Sequence, residues 1–208
     1  MKKNKVSAIL LAAGLSHRMG TDKLLFEYNA KSLLQHSIDL ISKLSVHQQI
    51  LVTTRARAGA VTIPPQIGVH INPNPRSGQS GSIRIGIKEA TGTHYLFLTA
   101  DQPLLTLEDI SQLMEQSQKN PDKIIFPQVM AKPCSPTIFP ARFRNDLLNL
   151  TDDKGGRIIR DKNPDFCCGI DITNPENCID IDYLEDYNGL TNRPQQKQNS
   201  KGNNRHDK

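Results

Sequence analysis

The chain reads as an α/β protein built on a mostly parallel sheet, and three features of its 208 residues point there. Short apolar runs alternate with amphipathic stretches, the pattern of strands and helices taken in turn. One run, His94–Thr99, is almost wholly apolar, as a central parallel strand covered on both faces must be. Several runs end in short glycine-, proline- or acid-containing loops, where open parallel sheets place their ligands.

The first predicted strand is Val6–Ala12, which runs into a polar loop over 14–22. A helix follows near 31–44, because Leu33, Leu34, Ile38, Ile41 and Leu44 recur at helical spacing. Strands are predicted at 49–54 and 68–71, the latter closed by Asn72-Pro73-Asn74-Pro75. A helix is predicted over 82–90, with Ile83, Ile87 and Ala90 on one face and the permissive Gly78 and Gly81 just before it. The strand at 94–99 ends in Ala100-Asp101-Gln102-Pro103. Thr106 is the expected N-cap of a helix to Lys119, with Glu108 and Asp109 in its first turn. A fifth strand is predicted at 123–126. The last third is proline-rich and less regular: a helix over 141–150, a loop over 151–156, a short helix through Arg160, strands at 166–170 and 178–181, and a final helix at 184–190. From Thr191 onward no residue is apolar, so 191–208 is expected to be a disordered basic tail to a single domain over 1–190.

A formal charge of +5 invites a nucleic-acid reading, but the charge sits at the ends. Lys2, Lys3 and Lys5 contribute +3, and residues 191–208 contribute +4 from five cations against Asp207. That leaves −2 for residues 6–190, and the tail holds no aromatic side chain. Non-specific binding through such a tail is readily screened by salt, so nucleic acid is the weakest class of partner. No apolar stretch approaches the roughly 20 residues of a bilayer span, and the apolar start runs straight into a polar loop rather than a cleavage site. Cys134, Cys167, Cys168 and Cys178 form no C-x-x-C and read as reduced packing residues. The expectation is a cytoplasmic protein with no membrane partner.

Three strand ends carry candidate chemistry. After the first strand comes Leu11-Ala12-Ala13-Gly14-Leu15-Ser16-His17-Arg18-Met19-Gly20-Thr21-Asp22-Lys23. Small residues and Gly14 let backbone amides approach an anion, Arg18 can grip phosphate bidentately, and Lys23 adds a compact charge. Taken alone, the segment is equally a glycine turn with two solvated cations, and His17 equally faces ligand or solvent. Asp101, its backbone stiffened by the nearby Pro103, is placed to hold Mg²⁺, which takes one or two protein carboxylates and completes its shell with phosphate oxygens and water. Asp101 is otherwise a turn-forming residue. Asp182, or Asp180 two residues before it on the same side of the expected strand, can reach the same ion, while Glu185 and Asp186 suit the start of the last helix.

In order, LAAGLSHRMGTDKLL, NPNPRSGQSGSIRIGI, TADQPLL, KPCSPTIF, DDKGGR and DIDYLEDY resemble the molybdenum cofactor nucleotidyltransferases, most of all the cytidylyltransferase branch. The resemblance covers residues 6–190 and implies a Rossmann-like three-layer α/β/α nucleotidyltransferase fold, with nucleotide in the N-terminal half and acceptor in the C-terminal half. It implies transfer of CMP from CTP to the terminal phosphate of molybdopterin carrying molybdenum, for molybdenum hydroxylases of the xanthine dehydrogenase type. Mg²⁺ is the implied ion, with Mn²⁺ as its substitute. By position, Leu11, Ala12, Ala13, Gly14, Arg18 and Lys23 belong to the triphosphate signature. Gln79, Ser80 and Ser82 belong to the base and ribose segment, and Asp101 and Asp182 are the implied metal ligands. Ala13 matches the cytidylyl branch, where the guanylyl branch reads L-A-G-G. Two departures stand out: Cys134-Ser135-Pro136 where the family often has Gly-His-Pro or Gly-Asn-Pro, and Tyr183-Leu184 in place of Thr-Pro.

The implied reaction is in-line attack of an acceptor phosphate oxygen on the α-phosphorus, with pyrophosphate leaving. Arg18, Lys23 and Asp101 are the expected catalytic groups, since both reactants are anionic and the nucleophile is already ionised near pH 7. The other readings are GTP as donor, a sugar phosphate as acceptor, or a binding protein that delivers finished cofactor to an apo-hydroxylase. If Arg18 neutralises the leaving pyrophosphate, Arg18→Ala raises the KM for triphosphate about tenfold and lowers kcat. Steady-state pyrophosphate release measures both, and unchanged constants would remove Arg18 from the site.

Overall fold

The computed structural model describes residues 3–15, 21–151 and 154–192. Its main sheet is ordered β10-β7-β9-β6-β1-β4-β5, with the two-residue β8 also paired to β7, on the side away from β10. These are β1 Val6–Ala12, β4 Gln48–Thr53, β5 Ile67–Ile71, β6 His94–Thr99, β7 Ile124–Val129, β8 Lys132–Pro133, β9 Thr137–Pro140 and β10 Cys167–Asp171. The pairs β1/β4, β1/β6, β4/β5 and β7/β10 are parallel, while β9 runs antiparallel between β6 and β7. The sheet is therefore mostly parallel, as the alternation of runs predicts.

Alternation along β1 builds the layers. Ala8, Leu10 and Ala12 face one side, where they meet Leu34, Ile38 and Ile41 of α1 (Leu33–Ser42) and Ile110 and Leu113 of α4 (Leu107–Lys119). Ile9 and Leu11 face the other, with Ile83 and Ile87 of α3 (Gly78–Glu89), Leu147 of α5 (Arg144–Leu148) and Ile159 of α6 (Arg157–Lys162). With a period of two, a strand this apolar needs cover on both faces. Three layers follow.

The helix ends follow local chemistry. Thr106 caps α4, as the sequence predicts, and Asp109 completes a capping box with it; Ser32 caps α1 by accepting from Gln35 N. No helix among the described residues is long and apolar enough to cross a membrane.

Several boundaries differ from expectation. The third helix starts at Gly78, not at 82, because Gly78 takes φ 70° and turns the chain directly into the helix. The expected helix over 141–150 is a 3-10 turn, Ala141–Phe143, followed by the five-residue α5. The strand expected at 178–181 does not form: a 3-10 turn occupies Pro175–Cys178, and Ile179–Asp182 pairs with no sheet edge. Extended β3 (Lys31–Ser32) replaces the predicted start of α1 and pairs with β2 (Glu27–Tyr28) through Asn29 and Ala30, both at positive φ. Alanine is no turn signal, so periodicity missed this hairpin. It also missed β9 and α2 (Arg55–Gly59). The final helix, α7 (Leu184–Thr191), is capped by Asn192, so the tail begins later than expected. Residues 193–208 lie outside the described residues, and with them the expectation of disorder.

His94, 5% exposed at the start of β6, hydrogen-bonds Pro121 O through Nε2 (2.8 Å) and Thr93 Oγ1 through Nδ1 (3.0 Å). Burial pulls its pKa below 6.5, opposed by the Pro121 carbonyl and Asp122. The unfolded chain therefore takes up a proton below about pH 6.5 while the folded one resists, and stability falls as pH drops, by at most about 1.4 kcal/mol per pH unit. His94→Gln should lose less stability than wild type between pH 7.5 and 5.5. Urea midpoints test this, and parallel pH profiles would contradict it.

Candidate functional site

In the sheet order, the chain moves from β1 outward to β4 and β5, then returns to β6 on the other side of β1. Connections leave β1 and β6 in opposite directions, which opens a crevice beyond their carboxyl ends. The three segments singled out in the sequence meet there.

Asp101 lies two residues past β6. Its carbonyl accepts from Ile181 N (2.9 Å), which draws the irregular 179–182 segment against the end of β6. Gln102 reinforces this by donating to Ser135 O (3.3 Å) and Cys178 O (3.2 Å). Asp186, in the first turn of α7, accepts from the backbone N–H of Asp182 (2.9 Å) and Tyr183 (2.7 Å). The aspartate two residues into the helix thus supplies the cap at the Tyr183-Leu184 departure, and Asp182 is held facing Asp101.

Between them sits Lys23, at the start of a 3-10 turn, Lys23–Leu25, capped by Asp22. Lys23 Nζ is 2.9 Å from Asp101 Oδ2 and 2.9 Å from Asp182 Oδ1. Burial opposes its charge, yet Asp101 and then Asp182 outweigh burial and raise its pKa above 10.5. Asp180 completes the acidic wall. Partial loss of hydration first, then the charges of Asp101 and Asp182, push its carboxyl up to about 7, against the pull of Lys23 and a hydrogen bond from Gln102.

Among the described residues, Thr99 Oγ1, Asp101 Oδ1 and Gln102 Oε1 are buried without a hydrogen-bond partner. Buried polar atoms normally find one, so their concentration at one strand end marks a place built for a polar ligand. No group of three His, Cys, Asp or Glu among the described residues is arranged to hold a metal ion alone. Asp101 and Asp182 nevertheless fit Mg²⁺ or Mn²⁺, since such ions accept one or two carboxylates with the remaining oxygens from substrate.

Two adjoining cavities, of about 700 and 620 Å³, share Leu11, Leu15, Lys23, Gln79, Thr99 and Asp101. The smaller extends past Gly14, Pro75, Arg76 and Ser82. The larger extends past Cys134, Phe139, Arg157 and Arg160 to Asp180 and Asp182. Gln79 lies against Gly155, where an added Cβ would come within 2.0 Å of Gln79 Oε1 and the glutamine side chain would have to turn aside. Two cavities meeting at one lysine and one carboxylate can hold two anions side by side.

The expected residues fall into three groups. Leu11, Gly14, Lys23, Gln79, Ser82, Asp101 and Asp182 line the cavities. Ala12, Ala13 and Ser80 are buried beside them: Ala12 O accepts from Arg57, and Ser80 Oγ donates to Ser77 O, facing away from both cavities. His17 and Arg18 lie outside the described residues. Cys134 stands on the wall of the larger cavity, where burial raises its thiol pKa, in keeping with an unactivated side chain. Sequence reading missed Arg157 and Arg160, and missed Arg57, an arginine just past the end of β4. Its place after a strand end is a signal that it shares with the exposed Arg55, so position alone does not separate the two.

Residues 8–166 match the MobA-like NTP transferase domain. A probable molybdenum cofactor guanylyltransferase of Rhodopirellula baltica is 28% identical over 126 residues, covering 58% of this chain and 59% of that protein. The bifunctional protein GlmU of Solibacter usitatus is 28% identical over 159 residues, 73% of this chain and 34% of that protein. The match thus spans less than two thirds of either relative. Among solved structures, a nucleotidyl transferase from Methanothermobacter thermautotroptrophicus superimposes with a TM-score of 0.75 at 20% identity, over 90% of this chain and 96% of that one. Strand-end lysine, paired carboxylates and a cleft at the switch point agree with that match over most of the chain, which belongs to the family of MobA-like NTP transferase domains.

Proposed function

We propose that the chain transfers a nucleotidyl group from a nucleoside triphosphate to the terminal phosphate of a molybdopterin-type acceptor, releasing pyrophosphate. The observation that carries this reading is the Lys23 ammonium held between Asp101 and Asp182 where the two cavities join. Donor and acceptor are both polyanions, so the first task of the site is to offset their repulsion. The smaller cavity suits the nucleotide, with Leu11, Gly14, Gln79 and Ser82 on its wall. The larger suits the acceptor, with the exposed Arg157 on its wall available to a phosphate. Lys23 offers charge to the triphosphate where the cavities meet, and Arg18 is proposed to add a second cation at the leaving group. Asp101 and Asp182 would hold Mg²⁺, or Mn²⁺ in its place, which when bound neutralises phosphate charge and polarises the reacting phosphoryl group. No side chain need remove a proton, because a phosphate monoester nucleophile is ionised near neutrality.

CTP is the proposed donor, on the strength of Ala13. That side chain is only 1% exposed, so its influence on the base runs through the backbone it packs rather than by touching it. GTP is the second reading, favoured by the curated relatives from Rhodopirellula baltica and Pyrococcus horikoshii, both named probable molybdenum cofactor guanylyltransferase. With CTP, the product would be the cytosine dinucleotide form of the cofactor, destined for an apo molybdenum hydroxylase. A delivery protein would bind such a product without turnover.

Pyrophosphate release measured with CTP, GTP, UTP and ATP, with and without molybdenum-loaded molybdopterin, separates these readings. The expected result is release with CTP that requires the acceptor; acceptor-dependent release with GTP alone would move the donor to guanylyl, and stoichiometric binding without release would indicate delivery. Asp101→Ala should lower kcat by about a hundredfold or more with a near-native circular dichroism spectrum. Wild-type turnover in that variant would refute the role of Asp101.

A further inference from the structure

Arg57 is an unusual side chain for its position. It lies in the short α2 just past β4, is 4% exposed, and has no direct place on either cavity wall. A buried guanidinium must satisfy its donors, and this one does so on a single region of the chain. Its Nε and Nη2 grip Asp22 bidentately, at 2.7 Å to Oδ2 and 2.8 Å to Oδ1. Its Nη1 donates to Ala12 O (2.8 Å) and Gly14 O (2.9 Å). The chain leaves β1 at Ala12 and reaches Lys23 directly after Asp22. One side chain therefore ties together the departure from the strand and the approach to the lysine.

Two geometric consequences follow. In a trans peptide the carbonyl and the following N–H point in opposite directions. By drawing the Ala12 and Gly14 carbonyls toward itself, Arg57 turns the N–H groups of Ala13 and Leu15 the other way, and Leu15 lines both cavities. By gripping Asp22, whose Oδ1 also accepts from Leu24 N (3.2 Å), Arg57 sets the start of the turn that aims Lys23 at Asp101 and Asp182.

We infer that Arg57 is a positioning residue for triphosphate binding: without touching the nucleotide, it presents the backbone amides after β1 and the Lys23 ammonium together as one anion site. The inference rests on the reading that this cleft holds a nucleoside triphosphate. Its chemistry demands arginine. A lysine brings one ammonium with three donors from a point, which cannot reproduce the planar fork on Asp22 together with bonds to two carbonyls.

The test uses the full chain with Arg57→Met, Arg57→Lys and Asp22→Asn, the last retaining the carbonyl bonds if loss of the arginine prevents folding. Two readouts are taken. The first is the KM for whichever triphosphate the wild type uses; it should rise about tenfold or more in each variant, with kcat falling less and without rescue by lysine. The second needs no activity: the rate at which acetic anhydride modifies Lys23, followed by peptide mass spectrometry and normalised to exposed Lys119, should rise several-fold when the clamp is lost. A folded Arg57→Met with wild-type KM and wild-type Lys23 reactivity would overturn the inference, as would full rescue by Arg57→Lys. If Arg57→Met does not fold, unchanged KM and Lys23 reactivity in Asp22→Asn would overturn it equally. If the wild type releases no pyrophosphate from any nucleotide, the proposed function fails, while the Lys23 reactivity still decides whether Arg57 positions that lysine.

Discussion

Lys23 meets Asp101 and Asp182 although those residues lie 78 and 159 positions further along the chain. Two carboxylates facing one point of a cleft repel each other and lose hydration, so bringing them together requires a cation. The Lys23 ammonium supplies it, and the rest of the site is arranged around that contact. Asp101 is fixed by the end of β6, Asp182 by the backbone bond from Ile181 to Asp101 O and by the reach of Asp186, and Lys23 by the cap at Asp22. Charge, not shape alone, makes the centre of the cleft.

The sheet explains why those three supports arrive at one place. With β1 and β6 adjacent and parallel, the chain leaves both at the same edge, but toward opposite sides of the sheet order. Antiparallel β9 then lies between β6 and β7, and the segment leading into it carries Cys134 and Ser135 to the wall of the larger cavity. The walls of the two cavities thus come from different parts of the chain and meet at Leu11, Leu15, Lys23, Gln79 and the end of β6. A reaction between two anions fits such a junction, since each can be held by its own wall while one set of charges serves both.

Much of this was legible in the residues. β1 and β6 were found to the residue because a strand covered on both faces is apolar throughout, and the cap of α4 because Thr106 and Asp109 satisfy each other locally. Asp101 and Lys23 stood out by following strand ends. Alternating Ile and Asp after Cys178 mimics period two, so the sequence predicts a strand at 178–181 that does not form. In the structure Ile181 is buried against Leu33 and Leu190, not against a neighbouring strand, and the backbone turns to serve Asp101. The resemblance places Ser80 with Gln79 and Ser82 in one base and ribose segment, but a helix that starts at Gly78 points neighbours in different directions, and Ser80 is buried.

The sequence by itself determined the class of fold, the strands and helices whose signals are local, and the residue types at the strand ends, because periodicity, capping and glycine chemistry act within a few residues. Only the tertiary structure decided which carboxylate Lys23 meets, that Arg57 ties Ala12, Gly14 and Asp22 together, and that β9 runs against its neighbours. Those outcomes depend on contacts between distant segments. Their signals in one chain are single residues, and an arginine after a strand looks the same whether it faces solvent, as Arg55 does, or anchors a loop, as Arg57 does.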